Sequence, residues 1–178
     1  MTMLSGNNSR IRENPDLVQD ACIMGVLNVT EDSFSDGGDF MALEASIDRV
    51  KQIYREGAKI LDIGAESSRP GSLPVPFDVQ MRRISPIFSE INKLNLRGLS
   101  ISIDTTHSKV ASLALREGAT IVNDITAGRS DPDMLPMIAD TGASIILMHM
   151  QGDPIDMQEA PYYDDVVREV TEFLSERI

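Results

Sequence analysis

Residues 56–60 read Glu-Gly-Ala-Lys-Ile, residues 117–121 read Glu-Gly-Ala-Thr-Ile and residues 141–145 read Thr-Gly-Ala-Ser-Ile. In each copy a glycine follows a stretch with apolar residues at helical spacing, and a small residue and a short apolar run come next. Glycine at such a point permits the left-handed backbone that ends a helix and turns the chain back towards a sheet. The repeated junction predicts a chain built from βα units.

Five such units can be marked outward from these junctions, after a polar N-terminal arm over residues 1–21. Each predicted strand is short and apolar on both sides, as a buried parallel strand is expected to be. The predicted strands cover residues 23–28, 59–64, 100–104, 120–124 and 144–149. The predicted helices cover residues 41–56, 78–94, 108–117 and 132–140, and a fifth helix begins near residue 162.

Unit length and the position of polar residues favour a barrel. The units average about 31 residues, and eight of them would give about 250, the usual size of a (β/α)₈ barrel. A five-stranded doubly wound sheet also fits the length, but it gathers its site at one switch point, whereas a barrel aims every strand end at one axis. Polar residues follow every predicted strand: Asn28, Asp62, Asp104, Asn123 and His149.

We therefore predict an α/β fold of the (β/α)₈ TIM-barrel type, with about five of the eight units present. The barrel domain is expected over residues 22–178 and to be truncated on its C-terminal side, because the last apolar stripe runs to the end without a stop signal. A five-unit piece of a barrel is expected to have two exposed parallel edge strands, which normally favours pairing with another chain.

Charge and cysteine content limit the function classes. The chain has 178 residues with 28 acidic and 16 basic side chains, a net charge of -12, so binding to nucleic acid or to an anionic membrane is not expected. Its apolar runs are far shorter than the roughly 20 residues that cross a bilayer. No secretory signal is evident and Cys22 is the single cysteine, so a cytoplasmic location is predicted.

Two loops after predicted strands carry candidate ligand-binding groups. Asn28 at the first strand end offers a neutral oxygen that can ligate Mg²⁺, and Asp32 and Phe34 lie in the loop that follows. After the second strand, Ser68 and Arg69 offer a hydroxyl and a guanidinium suited to a phosphate or a carboxylate. A plain solvated turn is the alternative for both loops.

Polar residues at the third and fourth strand ends suggest a pocket for a flat heterocycle. A carboxylate at Asp104 and an amide at Asn123 have donors and acceptors complementary to amino and ring nitrogens. Helix capping is the alternative for Asp104 and for Asp124. His107 and His149 lie in different units, which does not support a zinc site. Dinucleotide, P-loop and serine-hydrolase motifs are missing from the sequence.

With these segments in view, the chain resembles the dihydropteroate synthase family. The matching stretches, in family order, are MGVLNVTEDSFSDGG (24–38), LDIGAESSRPGS (61–72), ISIDT (101–105), IVNDI (121–125) and LMHMQGDPIDMQEAPYYDDVV (147–167). The resemblance implies a transferase that condenses 6-hydroxymethyl-7,8-dihydropterin pyrophosphate with 4-aminobenzoate in folate biosynthesis.

The resemblance also implies roles for individual residues. Asn28 looks like the amide on the Mg²⁺ and pyrophosphate side, and Asp62, Asp104 and Asn123 look like pterin-pocket residues. Asp32 and Arg69 resemble residues that act in the reaction, with Arg69 on the leaving pyrophosphate. Members of the family loops that contact pyrophosphate and aminobenzoate are matched by Phe34, Ser68, Arg69 and Pro70.

The sequence departs from the family pattern in two respects. Ser68 stands where threonine is usual, which keeps the hydroxyl. The later family segments, an Asp-Pro-Gly-Phe-Gly type strand, Ser-Arg-Lys and Arg-x-His, are not found, so weak or absent turnover is expected from this chain alone. Two alternatives therefore stay open: a pterin-binding or assembly module without catalysis, and a pterin-dependent methyltransferase relative. A homodimer is expected only of the complete protein.

Overall fold

The computed structural model of the chain describes residues 2–5, 21–29, 39–66, 75–152 and 156–178. Helices and short strands alternate through these ranges. The strands are β1 (Thr2–Ser5), β2 (Met24–Asn28), β3 (Ile60–Gly64), β4 (Ser100–Asp104), β5 (Ile121–Asp124) and β6 (Ser144–Leu147). The helices are α1 (Asp39–Arg55), α2 (Phe77–Ile91), α3 (Ser108–Arg116), α4 (Met134–Thr141) and α5 (Val166–Ser175). None of the helices in these ranges has the length and apolarity that crossing a bilayer requires.

The repeated glycines end helices as predicted. Gly57, Gly118 and Gly142 lie just beyond α1, α3 and α4 and have φ angles of 92°, 113° and 67°. Side chains with a Cβ rarely adopt this region of φ, which explains why glycine stands at all three junctions. The five predicted βα units are confirmed, with most element ends displaced by one to three residues.

Strand order separates the two candidate architectures. The sheet has the order β1-β6-β5-β4-β3-β2, and the pairs from β2 to β6 are all parallel. Each parallel strand therefore lies beside its neighbour in sequence, whereas a doubly wound sheet reverses its strand order at a switch point. The consecutive order is that of a barrel, and the doubly wound alternative is excluded.

The two faces of the sheet have different partners. One face contributes residues such as Leu61 and Ile63 to the main core, where α1 to α4 supply Ile53, Ile87 and further apolar side chains. The opposite face carries a small apolar cluster of Ile60, Ile121 and Ile146 with Cys22 and Met24, and no helical residue belongs to it. Helices on a single face are typical of a barrel, so we call this helix-free face the inner face.

The inner face differs from the prediction of strands apolar on both sides. Asp62, Ser102 and Asn123 are buried in the sheet, with exposures of 3%, 0% and 9%. They alternate along their strands with the apolar residues of the helix-packed core, as period-two strand geometry requires. The inner face is thus apolar at Ile60, Ile121 and Ile146 but polar nearer the carboxyl ends of the strands.

One edge of the sheet is covered by an N-terminal strand. β1 pairs with β6 in antiparallel fashion, with Thr2 opposite Leu147 and Ser5 opposite Ser144. The expectation of two exposed parallel edges was wrong, because only β2 is an uncovered parallel edge within the described chain. The strand lies within the predicted polar arm, and its partner is more than 130 positions away in sequence. No local pattern reveals such a distant pairing.

Candidate functional site

The carboxyl ends of four neighbouring strands form a row of polar side chains around a glycine. In the register, Asn28 lies opposite Gly64, Gly64 opposite Asp104, and Asp104 opposite Asn123. Laterally paired residues of parallel strands point to the same face, so all four belong to the inner face. The sheet thus brings together three residues that were predicted from different strands.

Gly64 keeps the middle of this row open. A Cβ at this position would lie 3.4 Å from Asn28 Oδ1 and 3.5 Å from Asp104 Oδ2. The two oxygens therefore flank the glycine from the strands on either side. Because glycine has no side chain, the space between an amide oxygen and a carboxylate oxygen stays free for another group.

Asp62 lies one layer deeper on the same face. It is laterally paired with Ser102, and its Oδ2 accepts a 2.9 Å hydrogen bond from Asn123 Nδ2. Asp62 Oδ1 and Ser102 Oγ are buried and have no hydrogen-bond partner among the described residues. Buried polar atoms without partners are costly, so this layer can still accept and donate hydrogen bonds.

Burial and mutual repulsion shift the carboxyl groups towards their protonated forms. Burial raises the pKa of Asp104 to about 7, and the neighbouring charges of Asp62, Glu66 and Asp124 act in the same direction. Burial also raises the pKa of Asp62, while the side chains of Ser102 and Asn123 oppose the shift. Titration near neutral pH is therefore expected at the inner face.

Asp124 does not cap a helix, which was the role considered for it. It follows Asn123 and so belongs to the helix-packed face. Its Oδ1 accepts hydrogen bonds of 2.8 Å from both the backbone nitrogen and the hydroxyl of Thr126, and its Oδ2 accepts one of 2.8 Å from Gly128 N. Asp124 thus holds the loop after β5 rather than capping α4.

His149 follows β6 and contacts the last helix. Its ring meets Phe173 of α5 edge to face, with centroids 4.8 Å apart, and Nδ1 lies 3.5 Å from the hydroxyl of Tyr163. The guanidinium groups of Arg129 and Arg177 lie 5.3 and 5.8 Å from the Phe173 centroid. These contacts indicate that His149 packs against α5 and helps to hold it on the sheet. Such contacts matter because α5 has no buried residue of its own.

The structure places only part of the predicted site. Asn28, Asp62, Asp104 and Asn123 share the inner face at the carboxyl edge. The other predicted site residues lie outside the described residues: Asp32, Phe34, Ser68, Arg69 and Pro70.

Sequence reasoning missed two inner-face contributors, Ser102 and Gly64. Ser102 precedes Asp104 by two positions, and Asp62 precedes Gly64 by two. The period-two alternation of strands was therefore an available signal for both residues.

The arrangement suits recognition of a flat, nitrogen-rich ring. A carboxyl pair and an amide offer several acceptors and a donor within a concave face, which is the complement of ring and amino N–H groups. The described residues contain no group of three or more His, Cys, Asp or Glu side chains able to hold a metal ion.

Comparison with known proteins agrees with this geometry. Residues 24–178 match the family described as pterin binding enzyme. The dihydropteroate synthase of Mycobacterium leprae is 44% identical over 149 residues, which are 83% of this chain and 51% of that protein. The chain thus spans about half the length of the curated relatives it matches, or less.

Solved structures are similar over the same part. A Xanthomonas albilineans dihydropteroate synthase with 4-aminobenzoic acid superposes with a TM-score of 0.76 at 42% identity, covering 89% of this chain and 55% of that one. A Clostridium difficile dihydropteroate synthase determined in the presence of pteroic acid gives a TM-score of 0.79 at 38% identity, covering 89% and 57%. Since the matched region carries the barrel strands and the polar inner face alike, the chain belongs to the family of pterin binding enzymes.

Proposed function

We propose that the chain forms the pterin-binding part of a dihydropteroate synthase. The reaction joins 6-hydroxymethyl-7,8-dihydropterin pyrophosphate to 4-aminobenzoate. The bond between the pterin methylene carbon and the pyrophosphate oxygen breaks, a bond from that carbon to the amino nitrogen forms, and the nitrogen loses a proton. The products are 7,8-dihydropteroate and pyrophosphate, which makes the enzyme a transferase of folate biosynthesis.

The hydrogen bond between Asp62 and Asn123, with Asp104 beside it, carries the proposal. Asp62 Oδ1 is buried and has no hydrogen-bond partner among the described residues, so it can accept from ring and amino N–H groups of a pterin. The carboxyl group of Asp104, on the neighbouring strand, can accept in the same way. Asn123 is held by Asp62 and can present its carbonyl oxygen to the same ring. The predicted pterin-pocket roles of these three residues rest on this arrangement.

The inner-face carboxyl groups also suit the charge that develops during the reaction. When pyrophosphate leaves, the pterin methylene becomes electron-poor and the ring acquires cationic character. In their ionised forms Asp62 and Asp104 would stabilise that charge, and their burial would strengthen the interaction. The proposal is a dissociative substitution in which the leaving group departs before the amine attacks.

The magnesium ion belongs to the proposal through Asn28. Asn28 is exposed, and its amide oxygen beside Gly64 is a neutral hard donor that could ligate Mg²⁺. Since magnesium sites commonly take further ligands from substrate phosphates and water, a full protein cage is not required. Bound Mg²⁺ would neutralise charge on the leaving pyrophosphate. Asn28 would orient that end of the substrate relative to the pterin-facing carboxyl groups.

The remaining site residues are proposed from the resemblance. Arg69 and Ser68 would meet the pyrophosphate and the aminobenzoate, and Arg69 would stabilise the leaving anion. Asp32, proposed as catalytic, would shape the aminobenzoate pocket together with Phe34 and Pro70. The free cysteine, Cys22, fits a protein that works in the reducing cytoplasm. A homodimer of the complete protein stays a prediction.

Calorimetric titration with the pterin pyrophosphate, with and without Mg²⁺, tests the proposal. Asp104→Ala should weaken binding by about 5- to 100-fold, since a lost contact to a buried polar partner costs about 1 to 3 kcal/mol. The exposed Asp140→Ala is the matched control and should leave the affinity unchanged. Unaltered affinity in Asp104→Ala would refute the pterin assignment.

A coupled turnover assay and a second ligand separate the alternatives. Binding without turnover supports a non-catalytic pterin-binding or assembly module, and turnover contradicts the expectation that the later family segments are essential. Equal affinity for the same pterin without its pyrophosphate would favour a methyltransferase relative, whose substrate carries no such group.

A further inference from the structure

Gln80 is a buried amide on an otherwise apolar helix face. It is 0% exposed, and the other buried residues of α2 are Ile84, Ile87, Phe88 and Ile91. An amide in such surroundings is costly unless its hydrogen-bonding groups are satisfied. The partners of Gln80 therefore indicate why an amide occupies this position.

Both donors of the Gln80 amide point to the region just beyond β3. Nε2 donates to Glu66 Oε2 at 3.0 Å and to the carbonyl oxygen of Val75 at 2.9 Å. Glu66 Oε1 in turn accepts a 3.2 Å hydrogen bond from Val75 N. A primary amide has two N–H groups, so the donor capacity of Gln80 is fully used at this point.

Glu66 and Val75 are the described residues on either side of residues 67–74. That segment contains Ser68 and Arg69, which the proposed function assigns to the pyrophosphate and aminobenzoate. One carboxylate and one amide thus join the two ends from which the segment departs.

The acceptor of the Gln80 amide reaches the pterin-facing strands. Oε1 accepts a 3.0 Å hydrogen bond from the hydroxyl of Thr105, the residue after Asp104. Thr105 N donates to the carbonyl oxygen of Asn123 at 3.1 Å, and Thr105 Oγ1 accepts from His107 N at 3.2 Å. The carboxyl ends of β4 and β5 are therefore linked to the ends of segment 67–74 through a single side chain.

We propose that Gln80 is a positioning residue that fixes the ends of segment 67–74 relative to the carboxyl end of β4. Gln80 thereby holds Glu66 and Val75, on either side of the segment that carries Ser68 and Arg69, in a fixed position relative to Thr105 at the end of β4. The inference rests on the proposed function for the identity of the ligand. A residue of this kind acts through others and touches no substrate.

Selectivity between two ligands distinguishes positioning from a purely structural role. Loss of general stability would weaken both the pterin pyrophosphate and the same pterin without pyrophosphate to a similar extent. Loss of positioning would weaken mainly the ligand that spans both halves of the site. The ratio of the two affinities is therefore the decisive quantity.

Three variants make the test. Gln80→Met keeps approximately the volume and removes the amide, Thr105→Val keeps the shape and removes the hydroxyl, and Ile87→Val alters the same helix at a buried residue without polar contacts. Calorimetry should show a loss of about tenfold for the pyrophosphate ligand in Gln80→Met, and about threefold or more in Thr105→Val. The pterin without pyrophosphate should change less than about twofold in both, and Ile87→Val should leave the ratio unchanged.

Amide hydrogen exchange gives a readout that needs no ligand. Exchange at Val75 N should accelerate in Gln80→Met relative to exchange within α2, because the hydrogen bonds that join Glu66 and Val75 lose their support. Equal weakening of both ligands, or unchanged exchange at Val75, would overturn the inference.

The two proposals can fail separately. If the unaltered chain binds neither ligand, the proposed function fails, and exchange at Val75 still decides whether Gln80 holds the segment ends. If Gln80→Met does not fold, Thr105→Val provides the same comparison through the other end of the link.

Discussion

Asn123 Nδ2 donates a 2.9 Å hydrogen bond to Asp62 Oδ2, although β5 and β3 are separated by β4. Strands that flank a third strand lie about 9 to 10 Å apart in a flat sheet. Two short side chains that meet across this distance indicate that the inner face is concave. Sheet curvature therefore brings together an inner-face pair from residues 61 positions apart.

Removal of the Asn123 amide should destabilise the fold measurably. In Asn123→Ala, the buried carboxyl group of Asp62 loses the hydrogen bond that its Oδ2 accepts, which should lower the free energy of unfolding by about 1 to 3 kcal/mol. Asn92→Ala removes an amide that donates to Glu117 O at the surface, so it should cost less than about 1 kcal/mol. Urea unfolding of both variants measures the difference, and equal losses would show that the inner-face bond contributes nothing special.

Stability should fall as the pH rises towards neutrality. The pKa of Asp104 is about 7 in the folded chain against an ordinary value of 3.8, so between these values the folded state keeps a proton that the unfolded state releases. Stability is then lost progressively from about pH 4 to pH 7 and stays lost above.

Asp104→Asn should flatten this dependence and gain on the order of 1 to 3 kcal/mol at pH 8. Urea unfolding of both proteins at several values from pH 5 to pH 8.5 measures how the free energy of unfolding depends on pH. The raised pKa of Asp62 should leave some residual slope in the variant. A wild-type slope unchanged by the substitution would contradict the assignment to Asp104.

Gly64→Ala should impair binding while sparing the fold. The added Cβ would stand at ordinary contact distance, 3.4 Å from Asn28 Oδ1 and 3.5 Å from Asp104 Oδ2, so little steric strain is expected. It would nevertheless fill the gap between the two oxygens. We expect a change in unfolding free energy below about 1 kcal/mol and at least a roughly tenfold loss of affinity for pterin pyrophosphate with Mg²⁺. Parallel unfolding and calorimetric titrations test this, and unchanged affinity would mean that the gap is not used.

Gly25→Ala, in contrast, should destabilise the fold. A Cβ on Gly25 would overlap Cγ2 of Ile53, a core residue of α1 that is 2% exposed. The expected cost is about 1 to 3 kcal/mol of unfolding free energy. Ile53→Ala removes the overlapping atom, so the double variant should be more stable than the sum of the single effects predicts. Strict additivity would show that α1 moves away instead.

Much of the fold could be predicted because its signals are local. The glycines at 57, 118 and 142 mark the helix ends on their own, and apolar runs mark each strand. Element ends were less certain where capping decides them. α5 begins at Val166, not near residue 162, because Asp165 accepts from Arg168 N at 3.1 Å while Glu169 accepts from Asp165 N at 3.0 Å.

The candidate site was predictable only where a polar residue ends a strand. Asp104 and Asn123 are recognisable in this way. The role of Gly64 is not, because it depends on which residues lie beside it on the neighbouring strands. Gln80 is similar, since its meaning comes from the crossing of α2 over the ends of β3 and β4. Register and helix docking are long-range properties, and a single strand or helix pattern contains neither.

The alternation of the strands between a helix-packed face and an inner face separates two kinds of evolutionary change. Along β3, substitutions at Leu61 and Ile63 mainly affect folding, because these residues lie in the core. Substitutions at Asp62 and Gly64 mainly affect ligand binding, because these residues lie on the inner face. Ligand recognition can therefore change at every second position while the helix-packed core stays the same. Conversely, a homologue can repack its interior extensively and keep the same chemistry at the strand ends.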